Sequence, residues 1–371
     1  MADQEGRGIR CTPTRWRLIA SGVLLTACPL LVLLFERFGE ALSGGYRPFS
    51  KGLLSLQATV ASVAPFALWD FFVVGLALTA LFTFVRRVVR RRPLLPWLSV
   101  VLLVSSATLF LFVSGWALNH YAPSLANEIG LEVGVYTDDE LTAATRHYLE
   151  RAAALAPSVP RGEDGELLRQ DFYELARIAG GSYRELSESY GIFEGSQVPV
   201  KALLLLGEPL LLSGHVGIFF SPTGESSVPV NCAVADLPFT MCHEAAHRLA
   251  IAREQEANFA AFLACTTSDD VRFSYSGYYS AFSFCYGALR RSDPDRAARL
   301  LDEVRTSGLD AGVGLVLADL VATGRHYDAY EGWFGRIGSA VNDGYLRSFG
   351  EREGVKSYGL VVDYLIAWDR R

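Results

Sequence analysis

Three apolar stretches dominate the first third of the chain. They cover residues 18–35, residues 66–85 with only Asp70 charged, and residues 94–118. A helix rises about 1.5 Å per residue, so each stretch can cross about 30 Å of hydrocarbon. Globular helices of this length normally carry a charged face, and these do not. The pattern predicts a module of three transmembrane helices within residues 1–118.

The first stretch is predicted to stay in the protein as an anchor. It is longer than the roughly 7–15 apolar residues of a cleaved signal peptide, and Glu36 and Arg37 follow where small residues would mark a cleavage site. Asp70 lies close to the start of the second stretch, which favours a place at the membrane surface over a functional acid inside the bilayer.

Amphipathic helices follow the third stretch. A capping sequence at Thr137 precedes a predicted helix over residues 141–155, and a second helix is predicted over residues 167–190 with an interruption at Gly180 and Gly181. These elements start a second domain, residues 119–371, which is large enough to bury a core of its own.

Short strands are predicted over residues 198–206 and 215–220, where β-branched and aromatic residues stand between glycine and proline turns. Helical periodicity returns after Pro238 and continues to the C-terminus, with turns near Ser292 and Gly350. Helices, a few strands and further helices predict a mostly helical α+β domain.

Charge separates the two parts of the chain. Residues 1–118 carry 12 basic and 5 acidic side chains, a net charge of +7, whereas residues 119–371 carry 22 and 35, a net charge of −13. Half of all residues are apolar, which excludes a disordered chain. The acidic part repels phosphate, so no nucleic-acid partner is expected. The lipid bilayer is the expected partner of the first part.

Basic residues near the apolar stretches predict the topology. Nine arginines lie before the first stretch or between the second and third: Arg7, Arg10, Arg15, Arg17, Arg86, Arg87, Arg90, Arg91 and Arg92. The loop expected between the first two stretches carries only Arg37, Arg47 and Lys51. The positive-inside rule then predicts a multi-pass protein of the cell membrane with a cytoplasmic N-terminus and an extracytoplasmic second domain.

One motif carries metal chemistry. His243 and His247 are four residues apart, so on a helix their imidazoles share one face and can reach one Zn²⁺ ion. Glu244 lies beside the first histidine, where its carboxylate can take a proton from metal-activated water. The motif predicts a zinc centre with Glu244 as general base.

Glu254 and Glu256 are the candidates for a third ligand. On a straight helix Glu254 would lie about 10.5 Å beyond His247, out of reach of the same ion. The chain must therefore bend between Leu249 and Ala252 and start a second helix that folds back. One of the two glutamates then has the ordinary role of an acidic residue at a helix N-terminus.

The neighbours of the two glutamates favour Glu254. The pair lies about 200° apart around the second helix, so only one of them can face the ion. Ala257 and Ala261 share the side of Glu254 and allow a close approach to the first helix, whereas Glu256 shares its side with Phe259. Glu256 stays the alternative ligand.

The combined motifs resemble a bacterial family of three-span membrane proteins that has no assigned function and is regarded as zinc-peptidase-like. Five segments carry the resemblance: residues 116–121, 239–247, 252–260, 273–278 and 354–363. The resemblance implies a zincin-like metallopeptidase domain with Zn²⁺ and a peptide or protein substrate.

A more distant resemblance concerns the second metal helix. In prenyl-protease-type zinc peptidases a ligand glutamate precedes an Ala-Asn or Ala-Asp pair by three residues. Glu254 and Asn258 match that pattern, which implies Glu254 as the ligand and Asn258 as the residue that supports Glu254. The bacterial family usually has glycine where this chain has Ala250, and glycine would ease the bend.

Other candidates have weaker support. Tyr275 and Tyr278, with Arg272 and Tyr279, are possible donors to the oxyanion of a tetrahedral intermediate, although aromatic residues at helical spacing are usually core. The segment 214–220 is either an edge strand that pairs with a peptide or an interior strand.

Isolated histidines and cysteines add no second site. Histidines without a spaced partner are expected to be ordinary surface or core residues: His120, His147, His215 and His326. On an oxidising side of the membrane, disulfides are possible among Cys232, Cys242, Cys265 and Cys285. No Cys-x-x-Cys spacing occurs among them, so no second metal site is predicted.

Together these features predict a membrane-anchored zinc hydrolase, most simply a peptidase. The alternative is a non-catalytic membrane-anchored binding or scaffold protein with a structural or vestigial metal site. Glu244 favours the enzyme, because a purely structural zinc site does not need it.

Overall fold

The computed structural model describes residues 12–349 and 360–371. Three of its helices are long and apolar enough to cross a membrane: α1 (Pro13–Ala61), α2 (Leu68–Val89) and α3 (Leu95–Gly115). The predicted set of three apolar helices is confirmed, and it points to a membrane-associated protein.

α1 bends sharply at Phe38, whose backbone angles are not helical. The rings of Phe35 and Tyr46 lie 5.0 Å apart, whereas residues 11 apart on a straight helix are separated by about 16 Å along the axis. The second part of α1, residues 39–61, is therefore a separate helical arm. The connection between the first two apolar stretches is thus helical, and contacts with later residues hold it in place.

The arm packs against the chain that follows α3. The Ser50 hydroxyl donates to the Gly115 carbonyl at 2.7 Å, and Arg47 lies 2.6 Å from the Glu128 carboxylate. Lys51 donates to the Glu194 carbonyl at 3.0 Å. The polar side of the arm thus packs against later residues of the chain. The part of the chain that follows α3 is called the body.

The body is mostly helical. Its α-helices are α4 (Leu125–Ile129), α5 (Asp138–Leu155), α6 (Phe172–Gly181), α7 (Arg184–Ser189), α8 (Gly207–Leu212), α9 (Leu237–Arg248), α10 (Glu254–Thr266), α11 (Val271–Ser292), α12 (Pro294–Val304), α13 (Asp310–Asp328), α14 (Trp333–Ser348) and α15 (Val361–Asp369). Short 3-10 turns cover Ala117–Tyr121, Ala156–Ser158 and Gly191–Phe193, and a π turn covers Arg305–Leu309.

Several predicted helix boundaries are confirmed. The side chain and backbone of Thr137 form a capping box with Glu140 at the start of α5. A break separates α6 from α7 just after Gly181, and Asp293 caps α12 directly after α11 ends. The turn expected near Gly350 lies outside the described residues.

A small sheet lies between the helices in the order β1 (Lys201–Leu203), β3 (Glu225–Pro229), β2 (Ile218–Phe220). β3 is parallel to β1 and antiparallel to β2. β2 is therefore an edge strand, one of the two alternatives open for residues 214–220. β3 was not predicted, because its polar residues hide a strand that is buried along its whole length.

Buried polar contacts join this sheet to the membrane helices. The Glu225 carboxylate accepts from the N–H groups of Leu68 and Trp69 at the start of α2. Lys201 donates to the Ala61 carbonyl at 2.9 Å and caps the end of α1. The link between α1 and α2 also pairs with β1, because Phe66 bridges Ala202.

Asp70 corrects two expectations. Its buried carboxylate accepts from the N–H groups of residues 204–206 at 2.8 to 3.0 Å. Because these N–H groups bind Asp70, they cannot pair with a neighbouring strand. β1 therefore ends at Leu203 instead of continuing to residue 206. Asp70 lies at the expected end of α2, but it faces protein and not the water at a membrane surface.

Candidate metal centre

α9 supplies two histidines of a compact cluster. Pro238 stands in the first turn of this helix, where its missing N–H costs nothing, and most of the helix is buried. His243 and His247 follow one turn apart on the same face, and their Nε2 atoms lie 3.0 Å from each other. The predicted convergence of the two imidazoles is thus present in the fold.

A tight turn brings α10 back over α9. Ala250 has φ +63°, a left-handed conformation that costs an alanine roughly 1–2 kcal/mol. Its N–H donates to the His247 carbonyl at 3.0 Å, and α10 begins four residues later. The bend predicted between Leu249 and Ala252 is confirmed. It lies at Ala250, where glycine would adopt the left-handed conformation at lower cost.

The turn places Glu254, the first residue of α10, against both imidazoles. Its Oε2 lies 3.2 Å from His243 Nε2 and 3.7 Å from His247 Nε2. Glu256 points elsewhere: it pairs with Arg253 at 2.8 Å and accepts from the Tyr364 hydroxyl at 3.3 Å. Of the two glutamates, the fold brings only Glu254 to the histidines.

Hydrogen bonds orient both rings. His247 Nδ1 lies 2.8 Å from the Ile251 carbonyl, which can only accept, so this nitrogen carries a proton. His243 Nδ1 lies 2.9 Å from Asn258 Oδ1. With both Nδ1 atoms donating, the two Nε2 atoms direct lone pairs at each other. The prenyl-protease pattern implied Asn258 as the partner of Glu254, but in the structure Asn258 binds the ring of His243.

The cluster favours one added positive charge. Burial raises the pKa of Glu254, but His247 and His243 outweigh it and hold that pKa well below the usual range. Burial lowers the pKa of His247, whereas Glu254 raises it to about 9. One ligand atom from each of the three residues fits within 4.8 Å. A proton or a metal ion between these atoms would stabilise the cluster. Two neutral rings would leave the Nε2 lone pairs facing each other and the carboxylate.

Glu244 is buried beside the cluster. Burial raises its pKa to about 7, against the opposing effect of the two histidines. Its Oε2 is buried and has no hydrogen-bond partner among the described residues, an exceptional state for a carboxylate oxygen. A Cβ on residue 217 would overlap this carboxylate, so Gly217 leaves the room that the side chain occupies.

Two further residues, Trp116 and Ser226, support the cluster. Trp116 donates from Nε1 to the His247 carbonyl at 2.9 Å and packs edge-on against its ring. The Ser226 hydroxyl of β3 donates to the Glu244 carbonyl at 2.6 Å. Sequence reasoning missed Gly217 and Ser226, because their roles follow from the sheet. Trp116 lies in a segment that carried the family resemblance.

His215 lies two residues before Gly217, and its Nδ1 is 2.9 Å from the Ser213 hydroxyl. Burial lowers the pKa of His215, and the Glu254 carboxylate opposes that effect.

The proposed oxyanion donors are used elsewhere. The Tyr275 hydroxyl donates to the Asp319 carboxylate on α13, and the Tyr278 hydroxyl accepts from Arg151 at 3.2 Å. Arg272 pairs with Asp270 and Glu174, and Tyr279 donates to Thr323. α11 packs on α5, α10 and α9, but the polar groups of these four residues bind partners outside the metal cluster.

The cysteines of the described ranges are all free and buried: Cys28, Cys232, Cys242, Cys265 and Cys285. The part of the chain that the structure describes, residues 12–349 and 360–371, therefore contains no disulfide. Burial raises the pKa of Cys232 to about 12, so this thiol is a poor metal ligand as it stands.

Comparison with known proteins identifies the family. Residues 46–366 match the family described as "Protein of unknown function (DUF3810)". The chain belongs to this family. No curated protein matches it, and no solved structure matches it. The expected membership in a family of unknown function is confirmed, whereas the similarities to zincins and to prenyl-protease-type peptidases stay predictions.

Proposed function

We propose that this DUF3810 protein is a membrane-anchored zinc hydrolase that cleaves peptide bonds. The observation that supports it most is the pair of imidazole Nε2 atoms 3.0 Å apart, with Glu254 Oε2 beside them and both Nδ1 atoms hydrogen-bonded to acceptors. Two imidazoles and one carboxylate are a typical ligand set of catalytic zinc sites.

His243, His247 and Glu254 would hold the ion. Zinc bound there supplies Lewis acidity, which polarises a carbonyl group and acidifies water. Asn258 and the Ile251 carbonyl fix the tautomer and orientation of the two rings, the usual task of groups behind metal ligands. Glu256 stays outside this set, because Arg253 and Tyr364 already bind it.

Glu244 acts as the base in this proposal. Its carboxylate would accept a proton from attacking water and return the proton to the nitrogen of the leaving amine. Its unpartnered, buried Oε2 is available for that transfer. Ser226 and Gly217 position the residue without using its carboxylate.

The edge strand supports a peptide substrate. β2 pairs with β3 on one side, and no other strand of the described chain pairs with it. Gly217, directly before β2, contacts the Glu244 carboxylate. An extended peptide that adds to this edge by backbone hydrogen bonds would therefore pass the base.

The arginine distribution supports a topology in which the N-terminus and the α2–α3 link are cytoplasmic. The described part of the inner set includes Arg86, Arg87 and Arg90 at the end of α2. In the arm, Arg47 and Lys51 bind the body. The metal centre then lies on the extracytoplasmic side.

The first prediction concerns the third ligand. Glu254→Gln should lower zinc affinity at least about tenfold, because it replaces an anionic ligand by a weak one. The matched variant Glu256→Gln should keep the wild-type affinity. The measurement is competition with a chromophoric chelator on the purified full-length protein. Loss of affinity in Glu256→Gln alone would move the ligand to that residue.

The second prediction separates the enzyme from the scaffold. Glu244→Gln should retain zinc and still bind a hydroxamate, but should hydrolyse unfolded casein at least about 100-fold more slowly than wild type. Zinc content, hydroxamate binding and peptide release are measured on the same preparations. Zinc-loaded wild-type protein that neither binds hydroxamate nor cleaves casein would favour a structural site and contradict the enzyme.

The third prediction concerns topology. Protease added to intact spheroplasts should degrade the part of the chain after α3 and leave the α2–α3 link protected. Immunoblots with one epitope tag at the C-terminus and another in the link follow the two regions. A protected C-terminal tag and a cleaved link would show the opposite orientation.

A further inference from the structure

The arm of α1 has two opposite faces. Ser50, Leu54 and Ala58 are buried against the body. On the other side Phe49, Leu56 and Val60 are 60, 64 and 66 % exposed. At about 100° per residue these three apolar side chains fall within roughly 40° of one another. A continuous exposed apolar face of this kind is typical of a surface that contacts lipid or another protein.

α14 presents a second face of the same kind. Trp333, Phe334, Ile337 and Val341 are all more than half exposed. Their spacing places them on one side of the helix. The helix packs on the body beside and opposite this face, where Gly338 lies against the Ser213 carbonyl and Leu346 is fully buried. Aromatic and aliphatic residues on one helical face are typical of helices that lie in a membrane interface.

Both faces lie at the level where the membrane helices join the body. Ser50 of the arm binds the Gly115 carbonyl at the end of α3. At the end of α14, the rings of Tyr345 and Phe349 pack against Phe112, one turn before the end of α3. The two helices therefore flank the same end of the same span.

A third apolar segment lies at this level. Leu204 and Leu205 are 45 and 44 % exposed, and their N–H groups bind Asp70 in the first turn of α2. Leu212, which is also exposed, precedes the Ser213 carbonyl that contacts α14. The exposed leucines thus extend from the start of α2 towards α14.

We propose that the arm of α1 and the apolar face of α14 form one membrane-seating surface that rests in the lipid headgroup region around α2 and α3. Its occupant is the phospholipid bilayer, because the arm continues the helix of the first span and both helices contact the same end of α3. The body then lies flat on the membrane, unlike a domain that hangs on a flexible tether.

The seating surface also sets the height of the metal cluster. Trp116 follows α3 directly and donates to the His247 carbonyl. The cluster therefore lies about one side-chain layer from the end of a membrane span. The proposal does not depend on zinc or on hydrolysis.

Nitroxide scanning tests the seating surface in the full-length protein. Spin labels are placed at Val60→Cys and Val341→Cys in a Cys11→Ser background, and the protein is reconstituted into phosphatidylcholine and phosphatidylglycerol vesicles. The control label stands at Val135→Cys, which is 97 % exposed and outside both faces. Collision rates with oxygen, which concentrates in lipid, and with a water-soluble nickel chelate measure depth.

The proposal expects the labels at residues 60 and 341 to collide more with oxygen and several-fold less with nickel chelate than the label at residue 135. Nickel accessibility equal to that at residue 135 would overturn it. Shielding from both reagents would also overturn it, because a protein partner or a second copy of the chain would then cover the faces. Neither readout changes if the metal centre is inactive.

Discussion

Two imidazole lone pairs repel each other at 3.0 Å unless a positive charge lies with them, and the candidate centre is organised around this constraint. The i, i+4 spacing on α9 brings His243 and His247 together, and the Ile251 carbonyl and the Asn258 amide hold the two rings at their Nδ1 atoms. Glu254 then adds the negative charge that makes a bound cation favourable. Removing any one of these features would make the cluster an ordinary polar core.

The same cluster is built into the framework that meets the membrane. Trp116 connects His247 to the end of α3, and Ser226 connects Glu244 to the central strand β3. That strand holds α2 through Glu225, while its neighbour β1 holds α1 through Lys201. The three apolar helices and the histidine–glutamate cluster therefore form one packed unit.

Features that depend on local periodicity could be predicted from the sequence. The three apolar helices, the cap at Thr137 and the turn between α9 and α10 follow from residue spacing along a helix. Features that depend on contacts between distant parts of the chain could not be predicted in this way. Asp70 shortens β1 from more than a hundred residues away, and the polar residues of β3 conceal a buried strand. Tyr275 and Tyr278 were assigned by sequence proximity to α10, but the packing of α11 turns them to other partners.

X-ray absorption at the zinc edge of the purified full-length protein tests the central claim most directly. A centre formed by His243, His247 and Glu254 predicts nitrogen and oxygen scatterers at about 2.0–2.2 Å, two of them imidazoles, and the same spectrum in Glu244→Gln. A sulfur scatterer at about 2.3 Å would contradict the claim, because Cys242 or another thiol would then bind the ion. Absence of stoichiometric zinc after loading at neutral pH would contradict it as well.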